Sequence, residues 1–201
     1  MEKPEFLYKY RSLENLERFL GIVIEQKLYA TLYNKMNDPM EGYFQHSSSV
    51  ANSLIRSIKS EKNKRYICSL SKKPNIGLMW THYADENRGC CLEVEVTSND
   101  WSRHEVRYDS NIQTLDEYMS VEEILSVKSH IWSYEEEVRY ICPVSSSKSQ
   151  YSFLPVRINK IIFGYKVKKE TYEILRRVIL AINKDIEIEM MGKKELDYGY
   201  L

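Results

Sequence analysis

The sequence predicts an α+β fold, with helices flanking a split, strongly twisted pair of small sheets. Three observations lead there. Strand and helix periods occur in mixed order without regular βαβ alternation, which disfavours a doubly wound parallel sheet. The seven glycines form no G-x-G-x-x-G or Walker pattern, so neither a Rossmann cofactor site nor a P-loop is supported. At 201 residues, with no internal repeat and no obvious linker, residues 1–201 are read as a single domain large enough for a real core.

Phe6 to Tyr10 reads as a short strand ending at Arg11-Ser12, with Ser12 as helix N-cap. Leu13, Leu16, Phe19, Leu20, Val23 and Ile24 recur at helical spacing, giving an amphipathic helix to about Gln26 that packs on one sheet. Leu28 to Leu32 is a second strand, and Asn37-Asp38-Pro39-Met40-Glu41-Gly42 is turn chemistry. Residues 47–64 are polar, first serine-rich and then lysine-rich, and read as either a helix or a mobile excursion. Tyr66 to Ser71 is a strand running into a turn at Lys73-Pro74-Asn75, and Leu78 to Asp85 is a short helix pressed on the sheet. Gly89 to Val96 alternates as a half-buried strand.

His104 to Tyr108 is another strand candidate, and residues 112–128 look helical around Val121 to Val127. After the glutamate-rich stretch come a Ser/Gln linker at 145–150, a strand at Ile158 to Phe163 ended by Gly164, and a helix with Tyr172, Leu175, Ile179 and Ile182 on one face. A strand alternating Ile186, Ile188 and Met190 against Glu187 and Glu189 comes last.

Lys plus Arg equals Asp plus Glu, and the zero formal charge argues against broad coating of nucleic acid. Lys59, Lys62, Lys64 and Arg65 form one local basic cluster, either a solvated loop or a contact surface. No run approaches the ~18 apolar residues that span a membrane, and the N-terminus lacks a signal-peptide apolar region. Cys68, Cys90, Cys91 and Cys142 include no C-x-x-C pair and read as buried free thiols in a reducing compartment. The four histidines lack metal-ligand spacing, and no acidic triad with an adjacent lysine disposes the chain to metal nuclease chemistry. A cytoplasmic protein without membrane contact and without metal is expected.

Trp132-Ser133-Tyr134-Glu135-Glu136-Glu137-Val138-Arg139-Tyr140 carries the most chemistry. Read as a strand, it puts Glu135 and Glu137 on one face and Glu136 on the other. Two carboxylates about 6.6 Å apart by the strand rise raise the proton affinity of one of them unless a cation or donor lies between. An aromatic-flanked E-x-E can bond sugar hydroxyls and stabilise developing positive charge. The alternative is a solvated face with either glutamate paired to Arg139.

Three further segments hold more polar and aromatic groups than packing needs. Tyr8-Lys9-Tyr10-Arg11 interleaves cations and phenols, Ser69 and Ser71 place two hydroxyls on one strand face, and Trp80, His82 and Tyr83 form an aromatic block. A nucleotide needs aromatic faces for its rings, hydroxyls for its riboses, a cation for its phosphates and a carboxylate for chemistry at a glycosidic carbon. Each segment also has an ordinary reading: Trp80 and Tyr83 as core, His82 as a structural donor, the serines as plain strand residues.

Leu7-Tyr8-Lys9-Tyr10, Met36-Asn37-Asp38-Pro39-Met40-Glu41-Gly42, Cys68-Ser69-Leu70-Ser71, Leu78-Met79-Trp80-Thr81-His82-Tyr83-Ala84-Asp85 and Trp132-x-Tyr134-Glu135-x-Glu137-x-Arg139, in that order, resemble a bacterial domain family of unknown function with NDPxEG, LMWxHYA and WxYExExR motifs. The resemblance covers roughly residues 5 to 165. More distantly, the order of a cationic strand, a helix, a serine-bearing strand and an E-x-E segment looks like ADP-ribosyltransferases, including toxins that modify nucleic acids.

That second resemblance implies a split-sheet transferase fold and NAD as substrate. It implies Glu137 as catalytic glutamate and Glu135 as the residue that helps place the acceptor. Ser69 or Ser71 would supply the serine motif and Lys9 or Arg11 the cation, with Tyr10, Trp80, His82 and Tyr83 around the nucleotide. Lys9 stands where His or Arg is usual, and a lysine lacks arginine's planar fork. The expected function is an NAD-dependent ADP-ribosyltransferase of a toxin or phage-defence system, with a protein or nucleic-acid acceptor and an antitoxin or defence partner. The alternative is a non-catalytic nucleotide- or protein-binding module on the same scaffold.

Overall fold

The computed structural model describes residues 5–36, 38, 40–115, 118–144 and 152–199. The elements run β1 (Leu7–Arg11), α1 (Leu16–Glu25), β2 (Lys27–Leu32), β3 (Phe44–Gln45), α2 (Asn52–Lys62), β4 (Arg65–Ser71), α3 (Gly77–Tyr83) and β5 (Cys90–Val96). They continue β6 (Ser102–Glu105), β7 (Arg107–Asp109), β8 (Gln113–Thr114), α4 (Val121–Ile124), β9 (Val127–Ser129), β10 (Glu137–Pro143), β11 (Ser152–Phe163), α5 (Lys169–Ile182) and β12 (Glu187–Met190). The chain is α+β, as the mixed order of its periods predicts. Asn37 and Pro39 of the expected turn, and the expected linker at 145–150, lie outside the described residues.

The chain divides into two compact units, one of Met1–Leu28, Leu70–Ser98 and Pro155–Leu201 and one of Tyr29–Ser69 and Asn99–Leu154. In the first, β5 lies between β1 and β11, antiparallel to both, and β12 adds to β11 in parallel. This central position buries Cys90, Cys91 and Leu92 completely, so the strand is more than half-buried at its start. Phe19 of α1 packs edge-on against Phe163 of β11 at 6.4 Å, and Tyr172 of α5 meets the same ring at 5.4 Å. The N-cap of α1 is Asn15, not Ser12: the Asn15 side chain accepts from the Arg18 amide at 2.8 Å. At the other end Gln26 adopts a left-handed conformation, and its side-chain oxygen accepts from the Ile158 amide of β11 at 2.7 Å.

Helix α3 stops at Tyr83, earlier than the sequence predicts, because Asp85, Glu86 and Asn87 all turn to positive φ. Gly89 closes this turn where no side chain fits: a Cβ there would lie 2.2 Å from the Arg11 carbonyl oxygen. The close approach seats the end of β1 beside the turn that follows α3.

In the second unit, β4 is hydrogen-bonded between β2 and β10, and β6 pairs with β10 on its other side. Two short parallel ribbons, β3 with β8 and β7 with β9, accompany this sheet. Residues 47–64 contain a helix rather than a purely mobile excursion: Ile55, Ile58 and Lys62 share the buried face of α2. The two isoleucines pack with Phe44, Leu115 and Ile124. The basic cluster is thereby divided, with Lys62 buried, Lys64 paired to Glu61 at 2.8 Å and Arg65 to Glu122 at 2.7 Å.

Three expectations need correction here. The helix around 121–127 is one turn, α4, capped reciprocally by Ser120 and Glu123. Its chain then enters β9, which pairs with β7. The strand at 104–108 breaks at Val106, because the Val106 amide bonds Glu137 O while the Arg107 amide turns to Ser126 O. The glutamate stretch is not one strand: His130–Glu135 forms 3₁₀ turns, Glu136 is left-handed at φ 44°, and β10 begins only at Glu137.

Candidate functional site: a buried charge cluster and a cationic groove

The left-handed Glu136 reverses the chain so that Glu135 and Glu137 converge on one lysine, although they do not share a strand face. Lys128, on β9, places Nζ 2.6 Å from Glu135 Oε2 and 3.1 Å from Glu137 Oε2. The cation that would relieve repulsion between the carboxylates is therefore present, and Nζ also lies 5.1 Å from the centre of the Trp132 ring. Arg139 adds a bidentate grip on Glu137, Nε to Oε1 at 2.8 Å and Nη2 to Oε2 at 3.1 Å. Its Nη1 donates to Leu125 O at 2.6 Å. The pairing with Arg139 is the one expected of a solvated face, but the site is not solvated: Arg139 is 0% and Glu137 4% exposed.

The Ser69 hydroxyl bonds Glu137, and the Glu137 amide donates to Tyr108 Oη at 2.8 Å. Burial works to raise the Glu137 pKa, but Arg139, Lys128 and the Ser69 bond outweigh it and hold the carboxyl far below the usual range. Lys128 is desolvated too, yet Glu137, Glu135 and Glu41 together push its ammonium above its ordinary value. The Tyr108 phenol is raised, chiefly by burial.

Glu41, from the turn after β2, completes the cluster, with Oε2 2.9 Å from Arg139 Nη2 and Oε1 3.6 Å from Lys128 Nζ. Although near Arg139, Glu41 Oε2 receives no hydrogen bond of normal geometry among the described residues. Burial raises its pKa, and Arg139 and Lys128 offset this only in part. An acidic triad beside a lysine does exist, then, invisible in sequence because Glu41 is remote from the other two. Its carboxylates face two cations, and among the described residues no group of His, Cys, Asp and Glu is disposed to hold a metal ion.

The first unit carries a groove of about 360 Å³ lined by Lys9, Tyr10 and Arg11 of β1, by Arg18 and Phe19 of α1, by the 12–15 connection, and by His82 and Tyr83. Lys9 and Arg11 alternate with Tyr10 along the strand, so Tyr10 is buried while the two cations, on the other face, are half-buried. The Tyr10 hydroxyl donates to Lys73 O at 2.7 Å and accepts from the Ile76 amide at 3.2 Å. His82 and Tyr83 are exposed, with ring centroids 6.2 Å apart at an edge-to-face angle.

Five of the eight nucleotide-contact candidates therefore line this groove. Trp80 does not: it is 0% exposed, its indole N–H donates to Pro74 O at 2.8 Å, and its ring meets Tyr10 at 5.6 Å. Ser71 is buried, accepting from the Lys73 amide at 3.2 Å, and Ser69 belongs with Glu137 in the second unit. Sequence reasoning missed Arg18, Glu41 and Lys128. Arg18 carried one readable signal, three residues after an Asn that can cap. All four cysteines are buried and free, and among the described residues no helix is long and apolar enough to cross a membrane. Compared with known proteins, the chain matches no protein-family model, no curated protein and no solved structure.

Proposed function

We propose that this chain binds a phosphate-bearing nucleotide, NAD or a related one, in the groove of the first unit, as a binding module rather than a catalyst. The lining of the groove carries the reading: Lys9, Arg11 and Arg18 stand against one carboxylate, Glu14, beside the His82–Tyr83 ring pair. Cations suit phosphates, aromatic faces suit a base or nicotinamide ring, and the volume falls within the ~300–1,000 Å³ of small-molecule sites. Against catalysis stands the state of Glu137. An ionised carboxylate offers about four acceptor positions, and Arg139 twice, Lys128 and Ser69 account for that many.

A second reading is ADP-ribosyl transfer from NAD, with Glu137 catalytic and Glu135 placing a protein or nucleic-acid acceptor. One observation favours it: Ser69 bonds Glu137, a serine and a glutamate meeting as the transferase resemblance implies. A toxin or phage-defence role, with an antitoxin or defence partner, rests on that resemblance alone.

Labelled NAD, incubated with the protein and with separate protein and nucleic-acid fractions, tests both. Saturable binding without release of nicotinamide or transfer of label is the expected result. Transfer that falls by ~100-fold in Glu137→Gln, with NAD affinity little changed, would favour the enzyme. No binding at all would remove both readings.

A further inference from the structure

The second unit buries three carboxylates, Glu41, Glu135 and Glu137, with two cations, Lys128 and Arg139, and none of the five is more than 7% exposed. A desolvated cluster with one charge in excess is costly, and uptake of one proton removes the excess. Glu137 is saturated by donors, and Glu135 has Lys128 at 2.6 Å. Glu41 is the worst served: Lys128 Nζ stands 3.6 Å from Oε1, and Oε2, 2.9 Å from Arg139 Nη2, receives no hydrogen bond of normal geometry among the described residues. We infer that a proton on Glu41 neutralises the excess charge and latches residues 40–44 onto the cluster.

The charged and titratable groups that face Glu41 are Arg139 and Glu137 on β10, Lys128 on β9, and Asp38 in its own turn. Tyr33 donates its hydroxyl to the Glu41 carbonyl at 2.9 Å, and Lys62 of α2 donates to the Gly42 carbonyl at 2.6 Å. Gly42 itself sits at φ 61°, where a Cβ would press on Leu125 and Tyr33 at 3.0 Å, so the segment has little room to slide. It ends in Phe44, which packs with Ile55, Ile58, Leu115 and Ile124. The position of one carboxyl is thus tied to the seating of β3. Burial raises the Glu41 pKa, in the same sense. The latch is closed while Glu41 is protonated and loosens as pH rises through that raised value.

Hydrogen exchange of the Tyr43 amide, bonded to Met40 O at 3.1 Å, reads the latch in the intact protein. Protection corrected for intrinsic exchange should fall by up to about tenfold per pH unit between the ordinary carboxyl value of the opened segment and the raised value of the closed one, as one released proton requires, and level off above it. Glu41→Gln, a neutral isostere, should abolish that slope, and Asp38→Asn should keep it. PH-independent protection in the wild type overturns the inference whether or not Glu41→Gln folds. So does a slope that survives Glu41→Gln or disappears in Asp38→Asn.

Discussion

Arg139 holds Glu137, two residues before it on β10, through Nε–Oε1 at 2.8 Å and Nη2–Oε2 at 3.1 Å. Residues two apart share a strand face, so the pair is local in sequence, yet it is buried like core. Its energetics differ accordingly from those of an exposed pair, which contributes ~0–1 kcal/mol.

Glu137→Gln should destabilise the protein by ~1.5–3 kcal/mol, because it weakens the buried charge-assisted bonds from Arg139 and Lys128, although Glu41 and Glu135 still face those cations. Urea unfolding checks this. A loss below ~1 kcal/mol would mean that the cluster is solvated in solution.

The depressed pKa of Glu137 fixes the sign of the acid limb. Its unfolded value is near the ordinary 4.5 and its folded value far lower. The stabilisation is fully present above 4.5 and is lost as pH falls from there toward the folded value. Thermal midpoints of the wild type should fall steeply in that window, and those of Glu137→Gln should fall less. Parallel profiles would contradict the assignment.

Gly89→Ala places a methyl group 2.2 Å from the Arg11 carbonyl and 2.8 Å from that of Ala84. Backbone must move, at a cost of ~1–3 kcal/mol or more. Since Arg11 lines the groove, nucleotide affinity should fall along with the thermal midpoint. Unchanged affinity in a destabilised Gly89→Ala protein would separate the turn from the groove.

Elements with a clear period were legible. Leu175 and Ile179 of the expected apolar face are buried on α5, though Ile182 is exposed, and α1 does pack on a sheet through Phe19. What failed was local reversal. Glu136 carries no glycine-like signal for its left-handed φ, so the β-formers after it drew the preceding residues into an imagined strand. The Glu135–Glu137 pair was still worth singling out, but its geometry came from Lys128, nine residues upstream of Glu137 on β9, where no spacing rule points. In the groove, the alternation Lys9-Tyr10-Arg11 identified one wall. Trp80 shows the limit of composition: an aromatic two residues before His82 in sequence is core, because two steps along a helix turn a side chain to the opposite face.

Arg11→Gln and Arg18→Gln should each weaken nucleotide binding by ~10-fold, on the order of 1.4 kcal/mol for one charge-assisted phosphate contact. The affinity of the wild type should fall with added salt more steeply than that of either variant. Titration calorimetry at two ionic strengths checks both, and equal salt dependence in all three proteins would argue that neither arginine meets a phosphate.

Isotope-edited NMR of the intact protein titrated with NAD tests the central proposal most directly. Saturable shifts of the Arg11, Arg18, His82 and Tyr83 resonances, with no nicotinamide released, are the predicted result. Absence of saturable shifts at those four residues, or shifts confined to residues outside the groove, would contradict it.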